Sequence, residues 1–206
     1  MGRLRRTTEI RQAELTDAAL HIIATQGIGA LTTRNLAAQV GLSTGAIFKH
    51  FTTLDALLDA VVARVEAVLE ATYPPAGTGP VERLERFIEA RSTAVGNQLG
   101  ILRLVLSEQF LLALPSHGAA RLAECVRKTR AFLLACVEEG QASRSLRRDI
   151  PATALVPIIM GTVQMLALAS PSARQHDLEA SAVIRALLAL LREQPSSSIP
   201  TARSSP

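Results

Sequence analysis

Two short stretches of the same design occur in the segment LTTRNLAAQVGLSTGAIFKHF, residues 31–51. Each begins with a hydroxyl residue, Thr32 or Ser43, which can cap a helix by accepting a hydrogen bond from a backbone N–H group. Apolar residues flank each cap at the spacing of a hydrophobic staple. Gly41 lies between the stretches, where a helix commonly ends in a left-handed conformation. The pattern predicts two short helices joined by a tight turn, which is a helix-turn-helix.

The second stretch is predicted to be a helix over residues 44–51 that directs its first turn toward an anionic surface. At about 100° per residue, Ile47 and Phe51 share the face that packs on the preceding helices, and Lys49 lies nearly opposite. The first turn contains only small residues, Thr44, Gly45 and Ala46. Free N–H groups at such an end attract anions, which suits a helix entering the DNA major groove.

Helical periodicity continues along the chain, interrupted by Gly and Pro, and strand-like alternation is scarce. Apolar residues make up 48% of the chain, enough for a substantial core, so the sequence predicts an all-α fold. The further helices are predicted near residues 10–26, 53–72, 81–98, 100–113, 117–141, 151–169 and 175–193. Three parts are expected: a helix-turn-helix domain with a basic arm in residues 1–52, a larger helical domain in 53–194, and a disordered tail in 195–206.

The positive charge is unevenly distributed. Residues 1–51 carry six basic and three acidic residues, which accounts for most of the formal net charge of +4. An excess of this kind fits an anionic partner at the N-terminal end. Arg3, Arg5 and Arg6 form an arm that either contacts the DNA minor groove or serves as a disordered, solubilising tail.

Several other classes of protein are disfavoured. The sequence has no glycine-rich phosphate loop, no GxSxG motif and no Cys/His metal spacing, so neither an enzyme nor a metal or cofactor site is expected. Cys125 and Cys136 lie too far apart on one helix for a disulfide, which fits a reduced, cytoplasmic chain. The most apolar segment, residues 154–169, is too short to span a membrane.

The segment LTTRNLAAQVGLSTGAIFKHF resembles the DNA-binding motif of TetR-type transcriptional repressors. The resemblance covers about residues 10–60 and includes the preceding helix. The matching positions of the motif are Thr32, Arg34, Ala37, Gly41, Ser43, Phe48, His50 and Phe51.

The resemblance implies double-stranded operator DNA as a partner. Residues at the start of the second helix, Thr32, Thr33 and Arg34, would then contact phosphate. Ser43 would cap the recognition helix, and its first turn would face base edges through Thr44, Gly45 and Ala46. Lys49 would reach a base or a phosphate, and His50 a phosphate.

Two positions depart from the family pattern. The family commonly has Tyr where this chain has Phe48, which lacks the hydroxyl that bonds phosphate. The family often has Lys where this chain has Leu54. Both departures are expected to weaken anchoring to the DNA backbone.

The resemblance also implies that the larger domain binds a small effector and forms a homodimer. Polar residues among apolar neighbours are the candidates for the effector pocket: Asn97, Gln98, Arg103, Glu108, Gln109, His117 and Gln164. The scarcity of aromatic residues, 3% of the chain, disfavours a cage for flat cations and favours a mostly apolar effector.

The two last helices are apolar on nearly every side, so one face of each is expected to be covered by a second subunit. Val183 and Leu187 are the candidates for that seam. The alternative function is a helical small-molecule carrier or enzyme in which the helix-turn-helix is only structural.

Overall fold

The computed structural model describes residues 7–75, 77–96, 101, 112, 114, 116–168 and 173–192. Within these residues the all-α prediction is confirmed, and the one extended pairing is an isolated bridge between Leu146 and Arg192. The elements are α1 (Thr8–Gln26), a 3-10 turn (Ile28–Ala30), α2 (Thr33–Val40), α3 (Thr44–Ile47), α4 (Leu54–Glu70), α5 (Pro80–Gly96), α6 (Ser116–Ala142), α7 (Ala152–Leu168) and α8 (Ala173–Leu191). Most of the helix expected at 100–113 lies outside the described residues.

Both predicted helix caps are confirmed. Thr32 Oγ1 accepts a hydrogen bond from the backbone N–H of Asn35 at 3.2 Å. Ser43 Oγ accepts one from the backbone N–H of Ala46 at 3.3 Å. Each bond satisfies a backbone N–H donor that the first turn of a helix leaves without a partner. Helices α2 and α3 therefore each begin one residue after the cap.

Gly41 ends α2 in the left-handed region, with φ of 65°. The backbone N–H of Leu42 then donates to the carbonyl of Ala37 at 2.9 Å, the bond that characterises a Schellman motif. A residue with a Cβ would be strained in this conformation. The glycine therefore fixes the angle at which the chain leaves α2 and enters α3.

The third helix is shorter than predicted, since α3 ends at Ile47 and not at residue 51. The backbone N–H groups of His50 and Phe51 both donate to the carbonyl of Ile47, at 2.9 and 3.0 Å. This closing turn brings Phe51 into the core, and Thr53 then caps α4. The strict helical angles assumed for residues 48–50 therefore do not apply.

Helix α4 joins the three N-terminal helices to the rest of the molecule through one core. Its buried face, which ends at Leu69, belongs to the same packed cluster as Leu36 of α2 and Ile47 of α3. That cluster also contains Val95 of α5 and Ala167 of α7. Helix α4 therefore shares one core with the helix-turn-helix at one end and with α5 and α7 at the other.

Ion pairs between α4 and α6 hold one exposed side of this junction. Arg121 donates to the Glu66 carboxylate through two nitrogens, and this pairing raises the pKa of the guanidinium. The other pairs are His117 with Asp59, at 2.6 Å, and Lys128 with Glu70. Half-exposed pairs of this kind add little stability each, but together they fix the register of the two helices.

A second core cluster fills the space between α5, α6, α7 and α8. Leu187 belongs to it and is 6% exposed in the single chain. The prediction that Leu187 forms the seam between subunits is therefore corrected, because its side chain already packs inside its own subunit. Val183, four residues earlier on α8, is exposed as predicted for a contact position.

No helix among the described residues is long and apolar enough to cross a membrane.

Candidate functional site

The first candidate region is the recognition turn, which comprises residues 43–50. Helix α1 fixes its far end, because Gln12 Nε2 donates to the backbone carbonyl of His50 at 2.9 Å. Ile47 anchors its inner side and is buried in the core. The turn is therefore held from inside, and its outer side is free to meet a partner.

Gly45 is the most informative residue of this outer side. It is exposed, its backbone is not left-handed, and a Cβ added there would have nothing within 4 Å. Glycine within a helix costs about 1 kcal/mol relative to alanine. Nothing inside the described chain requires glycine here, so the bare backbone leaves room for the close approach of an external surface.

Two cations, one on α2 and one within the recognition turn, have no ion-pair partner in the described part of the chain. Arg34 lies in the first turn of α2 and is exposed, as is Lys49. Thr32 and Ser43 accept hydrogen bonds as caps, and each hydroxyl keeps its own proton to donate outward. These groups together can donate to several phosphate oxygens along one strand.

His50 can make only one outward hydrogen bond with its ring. Its Nδ1 is buried and has no partner, so that atom cannot reach a ligand outside the chain. A phosphate contact from His50 therefore uses Nε2. A proton on Nε2 would leave Nδ1 as a bare acceptor, which avoids an unsatisfied buried donor.

The two positions that depart from the family pattern are both on the surface. Phe48 is 49% exposed and Leu54 is 39% exposed, so neither is required by the core. Two large apolar side chains beside the recognition turn occupy places where a hydroxyl or a cation would reach phosphate. The arm residues Arg3, Arg5 and Arg6 lie outside the described residues.

The second candidate region is a cavity of about 210 Å³, called here the α5 cavity. Helices α4, α5, α6 and α7 and Ile101 line it, and its walls are mostly aliphatic. Its lining includes Leu69, Arg91, Thr129, Met160, Val163 and Gln164. The volume suits a small ligand with an apolar body.

The predicted pocket residues fall into three groups. Gln164 lines the α5 cavity. His117 is not among the described residues that line it, because its ring pairs with Asp59 on α4 instead. The remaining five lie outside the described residues: Asn97, Gln98, Arg103, Glu108 and Gln109.

Arg91 was missed by the sequence reasoning, and it is the only charged residue among those lining the α5 cavity in the described chain. A signal was present, because Phe87, Arg91 and Val95 recur at the spacing of one helix face. A charged residue in that apolar register indicates a buried cation, which is uncommon without a partner.

A third surface feature is a set of exposed apolar side chains on α7 and α8. Four large apolar side chains are exposed there and are named the α7–α8 face: Ile158, Met165, Val183 and Leu190. Each helix contributes two residues seven apart, so each pair lies on one side of its helix. A set of exposed apolar side chains of this kind usually marks an interface.

The sequence model of the family described as bacterial regulatory proteins, tetR family, matches residues 15–61. No curated protein matches the chain by sequence.

Solved structures share the fold over nearly the whole chain. The ketosteroid transcriptional regulator KstR2 of Mycobacterium tuberculosis has a TM-score of 0.74 at 18% identity, covering 94% of this chain and 98% of that one. A tetR-family regulatory protein from Rhodococcus RHA1 has a TM-score of 0.71 at 23% identity, covering 89% and 98%.

AibR, in a structure with isovaleryl coenzyme A and operator DNA, has a TM-score of 0.70 at 17% identity, covering 88% of this chain and 97% of that one. At these identities the structural likeness establishes the fold.

Proposed function

We propose that this chain, whose residues 15–61 match the model of bacterial regulatory proteins, tetR family, is a sequence-specific transcriptional repressor. A homodimer binds a near-palindromic operator, and a small, mostly apolar effector releases it. The family is one of transcriptional regulators, and the proposal assigns the chain no catalytic step. Its partner is chromosomal DNA, so it acts in the cytoplasm.

The exposed Gly45 is the observation that carries the DNA-binding part of this proposal. The recognition turn is capped at its start, anchored by a buried residue and open at Gly45, and Arg34 and Lys49 are exposed cations. This arrangement suits an approach to the DNA backbone and base edges. Within the first turn of α3, Thr44 is the residue whose side chain can form a hydrogen bond with a base. The apolar surface of Ala46 fits a thymine methyl group.

The α7–α8 face supports the homodimer. One recognition turn reads only a few base pairs, so useful specificity requires two half-sites and two-fold symmetry. Ile158, Met165, Val183 and Leu190 supply exposed apolar side chains that a second copy can cover. Two helices from each subunit then pack as a four-helix contact.

Helix α4 supports the release step. Leu69 lines the α5 cavity and packs in the same cluster as residues of α2 and α3. A ligand that binds one position of α4 more tightly changes the distance between the two recognition turns. Operator affinity then falls by at most the ratio of the ligand's affinities for the two positions of α4.

DNA binding is tested by selecting duplexes from a random pool and measuring the affinity of the enriched sequence. We expect an inverted repeat with half-sites about one or more helical turns apart. Gly45→Glu should abolish binding without unfolding the chain, because the added side chain meets open space.

Gly79→Glu is the matched control, since Gly79 is equally open but lies at the start of α5. This variant should bind as the wild type does. No enrichment from the random pool, or equal binding by both variants, would contradict the proposed function.

A further inference from the structure

Arg91 is buried and has no carboxylate counter-ion among the described residues. It is 5% exposed, and among the described residues it forms no ion pair with a carboxylate. Its Nη2 lies 3.4 Å from the hydroxyl oxygen of Thr129, which is a weak hydrogen bond, and its Nε has no partner. A guanidinium has five N–H donors, and the described residues leave at least the donor on Nε unsatisfied.

Other arginines in the described chain are satisfied by carboxylates. Arg121 pairs with Glu66, Arg83 with Glu139, and Arg147 with Asp149, although all three are more exposed than Arg91. The most deeply buried of these cations is thus the one without an anion. An unpaired buried charge is strongly unfavourable in a folded protein.

Neighbouring aromatic rings offset only part of this cost. The Arg91 Cζ lies 4.9 Å from the ring centre of Phe87 and 5.3 Å from that of Tyr73. Such contacts stabilise a cation, and the Tyr73 hydroxyl also acts as a side-chain hydrogen-bond partner of the guanidinium, but neither ring carries a full negative charge. Burial accordingly lowers the pKa of Arg91, although a guanidinium stays protonated at neutral pH.

Nearby acidic residues do not fill the gap. Glu70 is close enough to act on Arg91 electrostatically, but its carboxylate pairs with Lys128 on the outer side of α4. The Thr129 hydroxyl is shared with the Tyr73 hydroxyl at 3.0 Å. The described surroundings of Arg91 therefore lack a free anion, and an aliphatic cavity lies beside it.

We propose that Arg91 binds the carboxylate of a monoanionic, aliphatic effector whose hydrocarbon chain occupies the α5 cavity. This inference rests on the proposed function, because it defines the chemical class of the effector. A guanidinium matches a carboxylate through two parallel hydrogen bonds, and Nε with one Nη supplies that pair. Thr129 and Gln164 are the further polar groups available to the carboxylate.

The charge and the apolar lining of the cavity favour an aliphatic carboxylate with a single negative charge. One cation lines the cavity in the described chain, so a single negative charge is neutralised, whereas a phosphate monoester carries about −1.5 to −2. Aliphatic side chains such as Met160 and Val163 provide apolar contact without a polar partner for a second head group. A neutral ligand of the same shape leaves Arg91 unpaired.

Octanoate, 1-octanol and octylamine test the proposal, because they share a chain and differ in head-group charge. Binding is measured by calorimetry and by the shift in melting temperature of the full chain. Octanoate should bind wild type at least about tenfold more tightly than octanol, and octylamine should not bind. Maleimide labelling of Cys125, which lines the cavity, should slow when octanoate is bound.

Arg91→Met should lower octanoate affinity at least about tenfold and leave octanol affinity within about threefold. Arg86→Met is the matched control on the same helix, since Arg86 is exposed and pairs with Glu82. It should bind octanoate as the wild type does. If Arg91→Met does not fold, Arg91→Lys replaces it, and octanoate affinity should fall because the two-pronged geometry is lost.

Equal binding of octanoate and octanol by wild type would overturn the proposal. So would octanoate affinity that survives Arg91→Met, or no binding by any linear carboxylate from butanoate to dodecanoate. Operator affinity measured on the same samples separates this failure from failure of the proposed function. A chain that binds its selected duplex but no carboxylate contradicts only the role of Arg91.

Discussion

The recognition turn and the α5 cavity both contain unpaired cations, but in opposite surroundings. Arg34 and Lys49 lie in water, where an unpaired charge is solvated and costs little. Arg91 is buried against the rings of Phe87 and Tyr73, and there the lack of a carboxylate partner among the described residues is expensive. An exposed free cation therefore says little about function alone, whereas a buried one indicates a missing anion.

The two regions also differ in how the chain builds them. The recognition turn comes from one continuous segment, capped by Ser43 and oriented by Gly41. The α5 cavity is assembled from four helices that lie far apart in sequence. Helix α4 connects them, because Leu69 lines the cavity and shares a core with Ile47.

The largest effect is expected from a charge on the α7–α8 face, on which paired reading by the two recognition turns depends. Leu190 is 61% exposed, so Leu190→Glu should keep the helical fold, split the dimer and lower operator affinity by about a hundredfold or more. Sedimentation and gel shift measure the two outcomes. Operator affinity that is unchanged in a monomeric variant would show that one recognition turn acts alone.

Leu187→Glu is the matched comparison on the same helix. Its side chain would be buried in the second core cluster without a partner, so we expect loss of folding and not only loss of the dimer. Circular dichroism distinguishes the two variants.

Gly45→Ala should separate folding from recognition within the turn itself. Alanine is the better helix former and meets open space, so the free energy of unfolding should rise by about 0.5–1 kcal/mol. Operator affinity should nevertheless fall about tenfold, because the added methyl group keeps the turn away from DNA. Denaturant titration and gel shift measure these opposite signs. Unchanged operator affinity would leave Gly45 without a role at the interface.

Thr44→Ala and Arg34→Ala should differ in kind more than in size. Thr44→Ala should cost roughly 1–3 kcal/mol and relax base preference at one position in each half-site. Arg34→Ala should weaken binding to every duplex about equally. Sequencing of the duplexes selected by each variant distinguishes the two outcomes. An altered base preference for Arg34→Ala would show that Arg34 contacts a base and not the DNA backbone.

The smallest effect is expected from restoring a cation beside the recognition turn. Leu54 is exposed, so Leu54→Lys should leave the core intact and raise affinity a few-fold for all sequences alike. The slope of log affinity against log salt concentration should steepen by about one, the change expected for one added phosphate contact. A gain confined to the selected duplex would indicate contact with a base.

Local chemistry made the N-terminal region predictable. A capping hydroxyl acts within one turn of its own residue, and the left-handed conformation of Gly41 depends on the residue itself, so Thr32, Ser43 and Gly41 could be assigned without a structure. The periodicity of apolar residues likewise predicted the all-α fold. The length of α3 was overestimated, because its end is set by the need of Phe51 to reach a core built by other helices.

Only the tertiary structure decided which side chains meet across the larger domain. His117 pairs with Asp59 on another helix, Leu187 packs inside its own subunit, and Arg91 faces a cavity closed by helices that the sequence does not bring together. Burial and ion pairing depend on distances between segments remote in the chain, and helical periodicity gives the face of a residue but not its neighbour. The sequence alone determined the helices and their caps, and packing determined which buried cation has no anion beside it among the described residues.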